Sequence, residues 1–294
     1  MKILLKRTYF KAANIKPLRF GLALAVALLA VLGLPPGNIQ AQELFGISIS
    51  ANTLLTIDTR TGAATTVGPL GVSSMEGLAY DSDTDRLLGV SYDNYLYSIN
   101  RLTGAATRVG PLGGGAQLVQ YPGLDYDSSS HTLYLSTSPF YAAGQYRSSL
   151  YRVNASTGAA TKVADLPGNT IVDGLAYNPN AHIMYGVSSA TYKIYTVNTA
   201  TAALTEIAST GVPLIFTEAA YNAAADTLYW TDAGRGNLYY RNMTTGTGGL
   251  IGGSGLYEVR GLAIIPEPTA FSLLMVGLAL YRMRRLGSRP LPQR

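Results

Sequence analysis

Between residues 42 and 265 one sequence unit recurs five times, and no other feature restricts the possible folds as strongly. Its first marker is Thr-Gly-Ala-Ala-Thr, at Thr61–Thr65, Thr103–Thr107 and Thr157–Thr161, reduced to Thr201-Ala202-Ala203 and then Thr245-Gly246-Thr247. Its second is Gly-Leu-Ala-Tyr-Asp at Gly77–Asp81, with GLDYD at Gly123–Asp127, GLAYN at Gly174–Asn178, EAAYN at Glu218–Asn222 and GLAII at Gly261–Ile265. Successive copies of the second marker are 46, 51, 44 and 43 residues apart. That period matches a four-stranded propeller blade and exceeds a leucine-rich or ankyrin repeat.

Local chemistry separates strands from helices. The segments are short, rich in Tyr, Val, Leu and Thr, and punctuated by Gly, Asn and Asp, with no sustained 3.6-residue apolar pattern. Each unit divides into four strands. Strand A is the Gly-Leu-Ala-Tyr segment and strand B the following apolar run, Leu87–Ser91, Leu133–Ser136, Met184–Ser188 or Leu228–Thr231. Strand C alternates, as in Tyr95–Asn100, and the Thr-Gly turn leads to strand D, as in Ala106–Val109. The body begins on a strand B (Leu44–Ser48) and ends on a strand A (Gly261–Ile265). The expected fold is therefore an all-β, five-bladed β-propeller in which N-terminal strands B, C and D pair with a C-terminal strand A, leaving no long free edge.

The ends of the chain differ from this body. Residues 1–41 hold six basic side chains and no acid, then an apolar run from Phe20 to Leu34 and the breaker Pro35-Pro36-Gly37, the layout of a secretory signal ending near Ala41. Residues 266–294 carry Pro266-Glu267-Pro268, an apolar stretch from Ala270 to Tyr281, and Arg282, Arg284 and Arg285. A short apolar helix followed by arginines is suited to halting translocation. These ends produce the overall charge of +5, whereas residues 42–265 keep 11 basic and 16 acidic groups, dispersed, for a net of −5. No basic patch is left to neutralise phosphates, which argues against nucleic acid as a partner. The absence of cysteine removes thiol catalysis, cysteine-ligated zinc and iron–sulfur clusters.

The order Pro266-Glu267-Pro268, apolar stretch, arginine cluster resembles the PEP-CTERM sorting domain recognised by exosortases, although Leu286–Arg294 runs on where such tails stop. The resemblance implies an exosortase-type processing partner, cleavage at Pro266-Glu267-Pro268, transient membrane insertion and surface or extracellular delivery. The body resembles bacterial propellers with YWTD-like or NHL-like blades, and Tyr229-Trp230-Thr231-Asp232 is one literal YWTD string. That likeness implies architecture and says little about chemistry.

Candidate sites follow from the blade alignment. His131 and His182 share the A–B turn position held elsewhere by Asp85 and Asp226, so they read as polar turn residues with no nucleophile beside them. Asp81-Ser82-Asp83-Thr84-Asp85 echoes a calcium loop without its glycine and closing glutamate, and reads as a turn. Gly110–Gly115 has no helix or Gly-Lys-Ser/Thr after it and reads as a flexible D–A connector, not a phosphate cradle. The repeated tyrosines Tyr80, Tyr126, Tyr177 and Tyr221 read as packing residues.

The positions just before strand A hold Glu76, Pro122, Asp173, Thr217 and Arg260, with Glu218 one step on. At the start of the innermost strands they converge on one end of the channel, where carboxylates and a guanidinium suit a cation such as calcium or a hydroxylated ligand. The long B–C loop Ser138–Ser149 opens on the same end and brings Phe140, Tyr141, Tyr146 and Arg147, types that stack on sugars or anchor proteins. The expected role is an exported binding module, with an exopolysaccharide or a surface protein as partner. The alternatives are a glycosidase using Glu76, Asp173 and Glu218, and a purely structural surface component. Hydrolysis needs two carboxyls about 5–5.5 Å or 6.5–9.5 Å apart.

Overall fold

A computed structural model describes residues 42–266 except 117–120, 138, 139, 143, 144, 169, 256 and 257. The expected signal, residues 1–41, and the tail beyond Pro266, with Glu267, Pro268, Arg282, Arg284 and Arg285, lie outside the described residues. Among the described residues no helix is long and apolar enough to cross a membrane.

The chain opens with β1 (Glu43–Ser48), β2 (Thr53–Ile57) and β3 (Ala64–Pro69), three strands of the first blade. The second blade is β4 (Met75–Asp81), β5 (Arg86–Ser91), β6 (Tyr95–Ile99) and β7 (Ala106–Pro111). In the third, β8 (Gly123–Asp127) and β9 (Thr132–Ser136) are followed by an extra hairpin, β10 (Phe140–Ala142) and β11 (Gln145–Arg147), before β12 (Ser149–Val153) and β13 (Ala160–Asp165). The fourth holds β14 (Gly174–Asn178), β15 (Ile183–Ser188), β16 (Lys193–Val197) and β17 (Leu204–Ser209). The fifth holds β18 (Ala219–Asn222), β19 (Thr227–Asp232), β20 (Asn237–Asn242) and β21 (Gly248–Gly253). Finally β22 (Val259–Ile265) returns to pair antiparallel with β1, from Glu43↔Ile265 to Ser48↔Val259.

Five four-stranded sheets result, with the order β22-β1-β2-β3 in the first, so the expected closure is what is found. Their innermost strands touch in a closed circuit, β22 to β4 to β8 to β14 to β18 and back to β22. Leucines of the Gly-Leu-Ala strands (Leu78, Leu124, Leu175, Leu262) are almost wholly buried between sheets, while the outermost strands are largely exposed or half-buried. Strand direction sorts the connections: D–A connectors and B–C loops lie at the upper end, A–B and C–D turns at the lower. Both ends of the body, Gln42 and Pro266, emerge at the lower end.

The turn chemistry accounts for the repeat markers. In each C–D turn an Asp or Asn three residues before the Thr-Gly position accepts N–H groups from the turn: Asn100 from Leu102 (2.9 Å) and Thr103 (3.1 Å), Asn154 from Ser156 (2.9 Å) and Thr157 (3.0 Å). The next residue is left-handed, Gly104 at φ 80° and Gly158 at φ 80°, which glycine adopts without steric cost. The same device heads the A–B turns. Asp127 accepts from Ser129 (2.8 Å) and Asn178 from Asn180 (2.9 Å), and His131 and His182 then take the left-handed position, at φ 55° and 57°. That is why this position holds only Asp or His.

The Thr-Gly glycine also sets the spacing of neighbouring blades. A Cβ on Gly104 would lie 2.4 Å from the carbonyl oxygen of Gly68 in the preceding blade, and one on Gly158 would lie 2.4 Å from that of Gly110. At the closing interface Gly62 stands in the same relation to Gly252, at 2.8 Å. An N–H at the start of each following D strand is donated across the same seams: Ala106 to Leu70 O (2.9 Å), Ala160 to Leu112 O (2.6 Å) and Ala64 to Ser254 O (3.3 Å). The Gly110–Gly115 segment is therefore not simply a flexible connector. Gly110 lies on β7 against the next blade, and a Cβ on Gly114 would come 2.1 Å from Ala160 O. Where the marker decays, both partners change together, to Ala164 and the buried, left-handed Ala202.

Gly104→Ala puts a methyl against backbone that cannot retreat, in a left-handed residue, and is expected to cost roughly 2–4 kcal/mol in urea unfolding. Gly71→Ala, at φ 72° with no atom within 4 Å of the added Cβ, is expected to cost only about 1 kcal/mol. Equal losses in the two variants would contradict the blade-spacing role.

Candidate functional site at the upper end of the axis

The starts of the first strands are brought together by close backbone approach. A Cβ on Gly123 would be 2.7 Å from Asp173 O, one on Gly77 2.9 Å from Pro122 O, and one on Gly261 2.6 Å from Glu76 O. Register breaks then aim the preceding side chains. Glu76 is the residue skipped where β4 slips against β5, and Gly261, at φ 54°, is skipped where β22 slips against β1. In the fifth blade Glu218 stands where its neighbours carry glycine, and its carboxylate accepts the N–H of Gly261.

Glu76, Asp173, Glu218 and Arg260 thus gather on the axis, and each is at most 5% exposed. Arg260 Nη1 donates to Glu76 Oε2 at 2.7 Å, and Glu258 Oε1 lies 3.8 Å from its Nη2. The Tyr92 hydroxyl also bonds Glu76 and accepts the backbone N–H of Tyr121 at 3.3 Å. Asp173 accepts the N–H of Ser189 at 3.1 Å through Oδ2. Asp173 Oδ1, Glu218 Oε1 and Arg260 Nε have no hydrogen-bond partner among the described residues. Loss of water pushes the Asp173 carboxyl up to about 7. The same burial, together with the negative charges of Glu76 and Asp173, raises Glu218 well above the usual carboxylate range. Burial also raises Glu76, but Arg260 opposes that shift directly.

Two aromatic rings complete this end. Tyr121 and Phe216 come from connectors of the third and fifth blades, which are not ring neighbours, yet their ring centroids lie 3.7 Å apart and stacked. The Arg260 guanidinium carbon is 4.2 Å from the Tyr121 centroid and 4.8 Å from that of Phe216. Both residues are left-handed, at φ 46° and 60°, a conformation that bulky side chains rarely adopt. Neither was singled out by the sequence, although both hold the same blade position, one residue before Pro122 and Thr217, where the other blades carry Met75, Val172 and Val259.

The hairpin β10–β11 stands on the loop that the sequence marked. Phe140 is opposite Arg147 and Tyr141 opposite Tyr146 in its ladder. Beside the axis, an open groove of about 420 Å³ on the second blade is lined by Ser73, Ser74, Tyr92, Asp93, Tyr97 and Arg108. At the lower end, residues from all five blades surround a cavity of about 90 Å³. Asp125 opens onto it where the other blades place Ala79, Ala176, Ala220 and Ala263, and accepts N–H groups from Tyr177 (2.6 Å) and Tyr126 (2.8 Å). Enclosure pushes its carboxyl up to about 7. GLDYD in place of GLAYD was the available signal for it.

One expectation about the histidines is corrected. Ser129 Oγ lies 2.6 Å from His182 Nδ1, so a hydroxyl does stand beside a histidine. Its setting is that of an interblade latch. Tyr177 donates to the same Ser129 at 2.6 Å, and one interface earlier Tyr126 and His131 both reach Asp83, at 2.6 and 2.5 Å. The triple-aspartate turn is likewise consumed by protein partners: Asp81 by Arg86 (2.9 Å), Asp83 by this latch, and Asp85 by Arg101 (2.8 Å).

Among solved structures the chain is similar to one in the crystal structure of a nidogen/laminin complex, with a TM-score of 0.54 and 12% identity, covering 77% of this chain and 99% of that one. At that identity the likeness establishes the propeller fold alone. No family model and no curated protein matches the chain.

Arg260→Met leaves Glu76 buried without its counter-charge and is expected to cost about 3–5 kcal/mol in chemical unfolding. Adding Glu76→Gln should recover much of that loss. For Asp173 the folded pKa lies above the unfolded value, so its contribution to stability is full in acid and lost as pH rises through about 7. Asp173→Asn should flatten the decline in melting temperature between about pH 4.5 and pH 7; an unchanged slope would contradict the assignment.

Proposed function

We propose that this chain is an exported binding module that engages a surface partner through the upper, loop-bearing end of its propeller. The observation that carries the reading is the closure of the axis at that end, where Arg260 is held by Glu76 and flanked by the stacked Tyr121 and Phe216. With the axis closed, recognition falls to the loops of that end, and the inserted hairpin β10–β11, which carries Phe140, Tyr141, Tyr146 and Arg147, sets the third blade apart from the others among the described residues. Both ends of the body leave from the opposite end, so attachment through either terminus keeps this face accessible. The similar solved chain comes from a protein–protein complex, which favours a surface protein over an exopolysaccharide as the partner.

Delivery belongs to the same proposal. Residues 1–41 act as the export signal. Residues 266–294 act as a PEP-CTERM-like sorting tail, cut at Pro266-Glu267-Pro268 by an exosortase-type enzyme after Arg282, Arg284 and Arg285 hold it at the membrane. Glycoside hydrolysis by Glu76, Asp173 and Glu218 is less well supported, because it requires substrate to displace the Arg260 contacts before reaching them.

Replacing residues 138–147 with a two-residue turn should leave the melting temperature unchanged, since Thr137 N still donates to Ser149 O (2.9 Å), and should release the mature protein from the cell surface into the medium. Full surface retention would refute the hairpin's role. Replacing the three tail arginines with Ser should block sorting and leave the precursor uncut; normal surface delivery would refute the tail assignment.

A further inference from the structure

The axial cluster is not electrically balanced by the protein. Glu76, Asp173 and Glu218 face a single guanidinium, Arg260, and that group is already committed to Glu76. Two buried carboxylates remain, each with one oxygen that no N–H or O–H of the described residues reaches, Asp173 Oδ1 and Glu218 Oε1. Their other contacts are sparse: Ser189 on Asp173 and the Gly261 N–H on Glu218. Groups of this kind are rarely left uncompensated in protein interiors, because an isolated buried carboxylate costs several kcal/mol or more.

We propose that Asp173 and Glu218 hold a divalent, oxygen-seeking cation, of which calcium is the probe of choice, on the propeller axis beneath the Arg260–Tyr121–Phe216 group. The charge fits: two carboxylates match a dication, and Glu76 and Arg260 neutralise each other. The ligand chemistry fits a hard cation, since every free donor atom is oxygen and the chain has no cysteine. Among the described residues no three His, Asp or Glu side chains are placed to close on one ion. The protein therefore supplies two carboxylates, and water completes the shell, as hard cations tolerate. The remaining groups facing the pair are Glu76 on β4, Arg260 on β22 and the side chain of Ser189; Tyr92 and Glu258 stand behind these, against Glu76. This inference is independent of the partner-binding reading, because it concerns the sealed axis and not the loops.

The competing account is that protons, not a metal, neutralise the pair, and the two are separable. The purified full-length chain is stripped with chelator and melted at about pH 8, where the carboxyls are most ionised, with and without calcium, and with magnesium or sodium as controls. Calcium at a hundredfold excess over its dissociation constant should raise the melting temperature by about 5–10 °C. Titration near pH 7 should release protons as the ion displaces them. The double variant Asp173→Asn/Glu218→Gln should fold, melt higher than the stripped wild type, and lose the calcium response. A wild-type melting temperature indifferent to calcium, or a response that survives in the double variant, would overturn the proposal in favour of protonation. Because this readout is thermal and not partner capture, its failure would leave the hairpin-dependent binding untouched.

Discussion

In four of the five blades the first strand starts so close to its neighbour that the neighbour's backbone occupies the space where a side chain would begin, and the fifth carries Glu218 there. A Cβ on Gly77, Gly123, Gly174 or Gly261 would come within 3 Å of the adjoining blade. Much else follows from that approach. It limits what can stand at the start of the Gly-Leu-Ala strands, it draws the circuit β22–β4–β8–β14–β18 tight, and it drives the preceding residues onto the axis. The same economy recurs further out, where Thr-Gly turns press on the D strand of the preceding blade. Because the last such contact joins Gly252 to Gly62, the ring is sealed at two radii: by the β22–β1 ladder inside and by the glycine seam outside.

Packing polar residues at the centre of so tight a ring has an electrostatic consequence. Bulk water is kept out, so each carboxylate depends on a donor, a counter-ion, a proton or an ordered solvent molecule. Glu76 finds Arg260. The surplus on Asp173 and Glu218 is the least resolved part of the molecule, and it lies below two aromatic residues held in left-handed backbone. That combination of strain and unsatisfied charge is more often encountered at functional positions than in inert scaffolding.

Much of the architecture was legible in the chain because repetition exposes it. The spacing of the Gly-Leu-Ala strands gave the blade count, and the strand B start with its strand A finish gave the closure. The four axial residues were found by aligning blades, a comparison that needs no outside sequence. What escaped was contact between blades. Tyr121 and Phe216 sit in connectors of different length, and their meeting depends on three-dimensional closure across the axis. The Ser129–His182 contact joins adjacent turns 53 residues apart, whereas the hairpin falls on the long B–C loop that the blade alignment marked, and only its strand pairing is new. The glycine seams were visible as letters but not as contacts, since a glycine chosen for its left-handed φ and one chosen for close approach look alike in sequence. Here Gly104 is both.

The most direct test is an atomic-resolution crystal structure of the cation-loaded chain with anomalous scattering measured at the axis. The account predicts five blades closed by β22 on β1, Arg260 bonded to Glu76 beside stacked Tyr121 and Phe216, and an anomalous peak touching Asp173 and Glu218. An open, water-filled channel with Arg260 turned to solvent and no peak between the two acids would contradict it.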